Sequence, residues 1–319
     1  MDISGYENRF VAFIDILGFT ALIGKIEENN NLDNPSFKAI ISALNFLSEE
    51  SVESNGQHDL VIYKSAESGS MIDIELGDPR INYISDCAII STEGTFDGFK
   101  ALCNKLTKFS TDLACDGIFL RGAITYGQVY HHGPILFGSA YMRAYKLEGE
   151  VAVYPRIIVD KSVFDALSDH DEEFPLCKNV IPIDSDNQRY LANFPYHYYP
   201  LYVYDWLSYL LRVKGKILYN LNLYDDRVTV FGADLKKLDA SYCWKESYGY
   251  DLSFEGGSDC ILKKYIWLAN ELNSTLLDNK DELSKENNEE SVYPHGMRIS
   301  PIQWNGTYWG PTEDLGLRR

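Results

Sequence analysis

The chain has 319 residues, an apolar content of 45% and a formal net charge of −18 at pH 7. This length fits one large domain or two modest ones, and the apolar fraction is sufficient for a buried core. The excess of acidic residues argues against nucleic acid or an anionic membrane as a partner, because both attract surfaces rich in Lys and Arg. An anionic substrate is still compatible with this charge if metal ions neutralise the site locally.

Other features of the sequence indicate the compartment. No secretory signal pattern and no apolar run long enough to span a bilayer are visible. The six cysteines are scattered and form no CxxC pair. We therefore expect a cytoplasmic protein with reduced thiols, without a disulfide framework or a zinc site.

The first predicted strand covers residues 9–15 and delivers Asp15 into a Gly-containing turn. Apolar residues at helical spacing predict a helix from residue 19, and a second helix is predicted over 36–47. Strands are predicted over 61–63, 71–76 and 81–91, and Asp86 lies in the middle of the last one, where an unpaired carboxylate is costly. Two acids on neighbouring strands beside such a turn predict a two-metal phosphoryl-transfer site. The backbone N–H groups of the turn would hold phosphate oxygens at the start of the helix.

The second half of the predicted core begins with a long apolar stripe, which predicts a helix over 96–113 closed by Asp116-Gly117. A strand over 118–130, a short helix over 139–148 and a strand over 157–159 follow. The order β-α-β-β-α-β predicts an α+β fold with a ferredoxin-like sheet whose helices pack on one face. Tyrosine and tryptophan become frequent from about residue 200, and a helix is predicted over 260–277. We therefore divide the chain into a core over 1–165 and a C-terminal α/β extension over 166–319.

Each candidate site residue also has a simpler structural interpretation. Asp15 could be a helix cap, and Asp86 could face solvent from its strand. Ser85, directly before Asp86, could instead allow a hairpin bend. Arg121 could form a structural salt bridge. Arg143 and Lys146 could belong to a solvated helix face; alternatively, one of them supplies a cation where charge develops on a transferring phosphoryl group.

Other motifs exclude several classes of site. The pair His131-His132 is predicted to lie in a loop, and on a strand the two rings would point to opposite faces, so they are a poor pair of metal ligands. A phosphatase of the haloacid dehalogenase type would need an Asp at position 17, which is Leu here. No Ser-His-Asp order, Walker loop or Rossmann glycine pattern is present.

Four segments in this order resemble a class III nucleotide cyclase domain over about residues 8–160. They are Phe-Ile-Asp-Ile-Leu-Gly-Phe-Thr, Ser-Asp-Cys, Arg-Gly-Ala-Ile-Thr-Tyr-Gly and the helix over 138–148. The resemblance implies two Mg²⁺ or Mn²⁺ ions, a turn that holds the β- and γ-phosphates, and catalytic cations. The metal ligands would be Asp15, Ile16 (through its carbonyl) and Asp86; the phosphate turn would be Leu17, Gly18, Phe19 and Thr20; the candidate cations are Lys146, Arg143 and Arg121.

The positions that select the base differ from those of purine cyclases. They are Asn82 and Ile135 here, a pair not suited to adenine or guanine. The family's transition-state Asn aligns with Met142 and its Arg with Lys146, which Arg143 could replace through a small register shift.

The pattern Gly-x-Ala-x-x-x-Ala-Tyr-x-Leu-Glu, followed by Tyr-Pro-Arg-Ile-Ile-Val, is similar to the Pycsar pyrimidine cyclases. These are bacterial antiphage enzymes that make cyclic UMP or cyclic CMP. The resemblance implies that UTP, or alternatively CTP, is cyclised by a homodimer with composite sites. The alternatives are a purine cyclase with an unusual base pocket and a cyclase-like module that binds nucleotide without turnover.

Overall fold

The structure is a computed structural model that describes residues 5–20, 77–170, 180–194, 203–225, 258–279, 302–304 and 309–311, with a few single residues between 23 and 41. Phe19 and Thr20 are helical, as predicted, and so are Lys38 and Ile41 within the second predicted helix. The predicted strands over 61–63 and 71–76 lie outside the described residues.

The described elements include the predicted helices over 96–113, 139–148 and 260–277 and the predicted strands over 9–15, 118–130 and 157–159, whereas the predicted strand over 81–91 is divided into two. The strands are β1 (Tyr6–Ile16), β2 (Arg80–Ile84), β3 (Cys87–Glu93), β4 (Leu120–His132), β5 (Ile135–Phe137), β6 (Ile157–Val159), β7 (Tyr190–Leu191), β8 (Ile302–Trp304) and β9 (Trp309–Pro311). The helices are α1 (Phe96–Cys115), α2 (Ser139–Glu150), α3 (Lys161–Ala166), α4 (Val203–Tyr224) and α5 (Ser258–Asp278).

The main sheet has the order β2-β3-β1-β4-β6-β7, and β5 pairs with β4 beside this path. Strand β1 is antiparallel to both β3 and β4, and β2 is antiparallel to β3. Strands β1 and β2 therefore run in the same direction with β3 between them, which is the split arrangement of a ferredoxin-like fold. The α+β, ferredoxin-like prediction is confirmed, and the parallel pairing of β4 with β6 makes the complete sheet mixed.

Helices cover both faces of this sheet, so the prediction that they pack on one face is wrong. Val11 and Phe13 cluster with Ala140 and Ala144 of α2. The ring of Phe10 lies 5.2 Å from that of Phe99 in α1. Neighbouring strand residues point to opposite faces, so α1 and α2 lie on opposite sides of β1. The unbroken apolar run of β1, buried from Phe10 to Ile14, is the signal of burial on both faces.

The chain divides into two compact units, of which the first contains the sheet. The first takes in Met1–Leu17, Ile40–Ser110 and Leu120–Leu191, and the second Gly18–Ala39, Thr111–Phe119 and Ala192–Arg319. The second unit has its own apolar core, in which Leu210 and Leu221 of α4 cluster with Leu268 and Leu272 of α5. Helix α5 confirms the prediction over 260–277.

Helix α4 was not predicted, because its frequent aromatic residues obscured the helical period. The predicted stop of α1 at Asp116-Gly117 is confirmed, since Gly117 has a φ of 81° and the N–H of Ile118 donates to the carbonyl of Leu113 (3.0 Å). Among the described helices, none combines the length and hydropathy that a transmembrane segment needs.

Candidate functional site

Three polar side chains form one row across the central strands. Asp15 near the end of β1 is paired in register with Cys87 of β3 on one side and with Arg121 of β4 on the other. Asp15 and Phe13 are two residues apart on β1, so both side chains point to the face covered by α2. The register of the sheet, which joins segments far apart in sequence, places this row.

Asp86 does not lie in the middle of a strand, as the sequence analysis predicted, but in the turn between two strands. β2 ends at Ile84 and β3 begins at Cys87, with Ser85 at a φ of 60° between them. The backbone N–H of Ile16 donates to the carbonyl of Asp86 (3.1 Å), which ties this turn to the end of β1. A two-residue turn barely interrupts an apolar run, so the sequence pattern resembled a single strand.

Asp15, Asp86 and Cys87 form the metal cluster, a group that could hold a cation. Each offers one ligand atom, and the three atoms lie within 4.8 Å of one another. Cys87 Sγ lies 3.7 Å from Asp15 Oδ1 and 3.8 Å from Asp86 Oδ1. The side chain of Asp15 is only 13% exposed, so its carboxylate is held in a largely dry position.

Arg121 supplies positive charge at the metal cluster. Its Nε donates to Asp15 Oδ2 (3.0 Å) and lies 2.7 Å from Glu148 Oε1 of α2. The structural salt bridge considered for Arg121 is therefore present. It connects a proposed metal ligand to a second, buried carboxylate that the sequence analysis did not select.

The acidic groups around Arg121 outnumber this single cation, and the pKa values of Asp15, Glu148 and Cys87 are all raised. Burial raises the pKa of Asp15, Arg121 opposes the shift, and the nearby charge of Asp86 adds to it. Burial likewise raises the pKa of Glu148, again opposed by Arg121. Burial and the two aspartates raise the pKa of the Cys87 thiol to about 12. The single positive charge of Arg121 does not balance the carboxylates of Asp15, Asp86 and Glu148. Carboxylate oxygens are the hard donors that Mg²⁺ and Mn²⁺ prefer, so these residues fit a divalent cation.

The predicted phosphate turn follows Asp15 directly in the chain. Ile16 is the last residue of β1 and is buried. The chain then turns at Leu17 and Gly18, where Gly18 has a φ of 79°, and Phe19 begins a helix. A positive φ is easy for glycine, so this residue permits the tight strand-turn-helix geometry that was predicted. Phosphate contacts by residues 17–20 stay a prediction.

The predicted helix cations lie on α2 but differ in their contacts. Lys146 is 69% exposed, 3.8 Å from Glu150 Oε2. Arg143 donates to Asp160 Oδ2 (2.9 Å), and this carboxylate also accepts a hydrogen bond from the backbone N–H of Ser162 at the start of α3. Together with Met142, both cations line an open cavity of about 730 Å³ along α2.

The predicted base-selecting residues lie on β2 and β5. Ile135 is 54% exposed. With its amide oriented so that nitrogen is the donor, Asn82 donates to the carbonyl groups of Ile81 and Gly133, both at 2.9 Å. Their contact with a base stays a prediction.

His131 and His132 lie in β4, so the prediction of a loop is wrong. The strand continues because its end pairs with β5, with His131 opposite Leu136. His131 is buried, and its Nδ1 lies 2.8 Å from Ser91 Oγ, whereas His132 is exposed. The opposite exposure of the two rings agrees with the alternation expected of a strand.

Glu148 and Cys87 are the site residues that the sequence analysis missed. A carboxylate on the buried side of an amphipathic helix was the available signal for Glu148. For Cys87, the signal was its position directly after Asp86.

No protein-family model matches the chain, and no curated protein does so either. Several solved structures resemble it weakly, among them the following three. The guanylyl cyclase domain of the RhoGC fusion protein from the aquatic fungus Blastocladiella emersonii has 16% identity and a TM-score of 0.33, covering 58% of this chain and 94% of its own.

Two further solved structures resemble the chain to a similar degree. The catalytic core of a rhodopsin-guanylyl cyclase with converted specificity, in complex with ATPalphaS, has 14% identity and a TM-score of 0.32, covering 58% of this chain and 93% of its own. A class III adenylyl cyclase-like ATP-binding protein from Pseudomonas aeruginosa has 14% identity and a TM-score of 0.30, covering 52% of this chain and 37% of its own. The fold assignment therefore rests on the strand order and register described above.

Proposed function

We propose that this chain is a nucleotide cyclase that works with two divalent cations, Mn²⁺ or Mg²⁺. The observation that carries the proposal is the convergence of Asp15 and Asp86 at the end of β1, directly before a strand-turn-helix segment. In the reaction, the ribose 3′-oxygen of a nucleoside triphosphate attacks the α-phosphorus. The new O3′–P bond replaces the bond to pyrophosphate, which leaves, and the proton of the 3′-hydroxyl passes to solvent water.

The residues of the chain have distinct roles in this proposal. Asp15 and Asp86 would hold the ions, with the carbonyl of Ile16 as a further ligand. The bound ions would lower the pKa of the 3′-hydroxyl and screen the triphosphate. The backbone N–H groups of residues 17–20 would hold phosphate oxygens at the helix start, and Arg121 would add positive charge at the metal cluster.

The proposed substrate is UTP, with cyclic UMP as product and CTP as the alternative. Support comes from the resemblance to Pycsar cyclases and from the residues at the base-selecting positions, Asn82 and Ile135. Neither side chain offers the charged group that the resemblance associates with purine recognition. The same resemblance suggests a cytoplasmic role in antiphage signalling.

The proposed assembly is a homodimer with composite sites. Lys146 is 69% exposed, whereas Glu148, two positions further along α2, is 8% exposed and faces Arg121. Residues two apart on a helix do not share a face, so Lys146 points away from the metal cluster of its own subunit. A second copy could therefore receive this cation.

The test is incubation of the purified protein with Mn²⁺ or Mg²⁺ and each of the four nucleoside triphosphates, with products identified by mass spectrometry. Cyclic UMP is the expected main product, and a cyclic purine as sole product would overturn the pyrimidine assignment. Asp15→Asn and Asp86→Asn should each abolish formation of the cyclic product, because each removes an anionic oxygen ligand of the cations. Asp165→Asn is the matched control, since Asp165 is 64% exposed and its only described ion pair is a surface contact with Lys161. Full activity in both site variants would refute the metal assignment.

A nucleotide-binding module without turnover is the second candidate function. It is favoured by Met142, 59% exposed, at the position where the resemblance calls for a transition-state Asn. This function predicts saturable binding of a nucleotide–Mn²⁺ complex that Asp15→Asn abolishes, without formation of any cyclic product.

A further inference from the structure

Arg121 is shared between two carboxylates that compete for it. The Nε–H group donates to Asp15 Oδ2 (3.0 Å) while Nε also lies 2.7 Å from Glu148 Oε1. Nε carries a single hydrogen, so it cannot serve both oxygens well at once. Among the described residues, no donor hydrogen-bonds to Glu148 Oε1, although this atom is buried.

A buried carboxylate oxygen without a hydrogen bond is costly in free energy. Movement of Arg121 toward Glu148 would supply the missing donor. Glu148 is 8% exposed and belongs to α2, whereas Asp15 is 13% exposed and belongs to β1. The Arg121 guanidinium lies between them and is 30% exposed, so it has room to move. A cation bound by Asp15 would repel Arg121, and Glu148 offers the nearest anionic acceptor.

We propose that Glu148 is a positioning residue, which retains Arg121 when a divalent cation displaces it from Asp15. In the structure Arg121 is shared between Asp15 and Glu148. Cation binding would break the ion pair with Asp15 and leave Glu148 as the counter-ion of Arg121. This inference rests on the proposed function for the location of the metal site, but it adds an exchange that the proposed function does not require.

The exchange predicts opposite effects for the two partners on cation affinity. Arg121→Gln removes the competitor from Asp15 and should tighten Mn²⁺ binding several-fold. Glu148→Gln removes the acceptor, leaves Arg121 on Asp15, and should weaken Mn²⁺ binding about 10-fold, as is typical when a residue that orients a metal ligand is lost. The affinity is measured without nucleotide, from the electron paramagnetic resonance signal of free Mn²⁺.

The double variant separates positioning from a simple charge effect. If Glu148 acts through Arg121, Glu148→Gln should change Mn²⁺ affinity less than 2-fold when Arg121 is already Gln. An undiminished 10-fold loss in that background would overturn the inference, because Glu148 would then act on the cation directly. Weaker Mn²⁺ binding by Arg121→Gln alone would also overturn it, since Arg121 would not be a competitor.

Controls address folding and the proposed function separately. Glu150→Gln removes a carboxylate that is 64% exposed on the same helix and should leave Mn²⁺ affinity unchanged. Circular dichroism spectra of all variants identify any that fail to fold, and Glu148→Asp, which keeps the charge, should retain most of the affinity. If Asp15→Asn and Asp86→Asn abolish Mn²⁺ binding while the Glu148 variants have no effect, the metal site stands and the exchange is refuted. If the two Asp variants bind Mn²⁺ normally, the metal assignment is refuted, and with it the proposed function.

Discussion

The buried ring of His131 predicts a loss of stability in mild acid. Burial, together with the charges of Arg9 and Arg80, lowers the pKa of His131 from 6.5 to about 4, with Asp78 opposing. The unfolded chain therefore binds the proton near pH 6.5, whereas the folded chain binds it only near pH 4. The contribution of the neutral ring is complete above pH 6.5 and declines as the pH falls toward 4.

The size of this loss follows from the width of the pH window. Each unit of difference in pKa corresponds to about 1.4 kcal/mol, so the shift predicts a loss of about 3 kcal/mol between pH 6.5 and pH 4. His131→Gln keeps a polar group near Ser91 but cannot take up a proton. The variant should be less stable than the parent at pH 7, and this difference should shrink or reverse by pH 4.

The measurement must report on the sheet itself. All five tryptophans lie beyond residue 191, in the second compact unit, so tryptophan fluorescence would follow the wrong part of the chain. Hydrogen exchange of peptides from β3 and β4, followed by mass spectrometry from pH 4.5 to 7.5 and corrected for intrinsic rates, gives local opening free energies. His132→Gln is the control, because this adjacent side chain is exposed. The same pH dependence in His131→Gln and the parent would refute the assignment.

Three further substitutions test the packing around the site and the cap of α3. A Cβ on Gly122 would lie 2.3 Å from the carbonyl oxygen of Phe13, so Gly122→Ala should push β4 away from β1. We expect the free energy of unfolding, measured by heat or urea, to fall by about 1–3 kcal/mol and Mn²⁺ binding to weaken. A Cβ on Gly149, at an exposed position of α2, would meet no atom within 4 Å, so Gly149→Ala should instead raise the free energy of unfolding by about 1 kcal/mol. Equal effects of the two glycine substitutions would contradict this reasoning. Asp160 caps α3 by accepting a hydrogen bond from the backbone N–H of Ser162 (2.8 Å). Asp160→Ala should therefore lower the free energy of unfolding by about 1 kcal/mol and increase hydrogen exchange in α3. Unchanged exchange in α3 would contradict the assignment of the cap.

The stability contributed by Asp160 should depend on pH, because the pKa of this carboxyl is lowered in the folded protein. Burial opposes its ionisation, but hydrogen bonds from Ser162 and ion pairing with Arg143 outweigh burial and lower its pKa. A carboxyl with a lowered pKa stabilises above its unfolded pKa and loses that contribution as the pH falls through its folded pKa. The destabilisation by Asp160→Ala should therefore be largest near neutral pH and should diminish below about pH 4.

Periodicity and turn chemistry predicted most elements of the sheet. The strand ending at Asp15, helix α2 and the helix stop at Gly117 each depend on residues close together in the chain, and each is confirmed. The prediction of one continuous strand over 81–91 was wrong because a turn of only two residues, Ser85 and Asp86, barely interrupts the apolar pattern. The end of β4 was missed because His131 becomes a strand residue only through pairing with β5.

Local sequence determined the strand, turn and helix around Asp15, because backbone preferences and apolar spacing act over a few residues. Only the tertiary structure decided that Arg121 lies beside Asp15, since the two are 106 residues apart and meet through strand register. It also decided that Glu148 approaches Arg121, since that contact requires α2 to cover this face of the sheet. Ion pairing depends on distance in space, and the order of residues along a chain does not specify that distance.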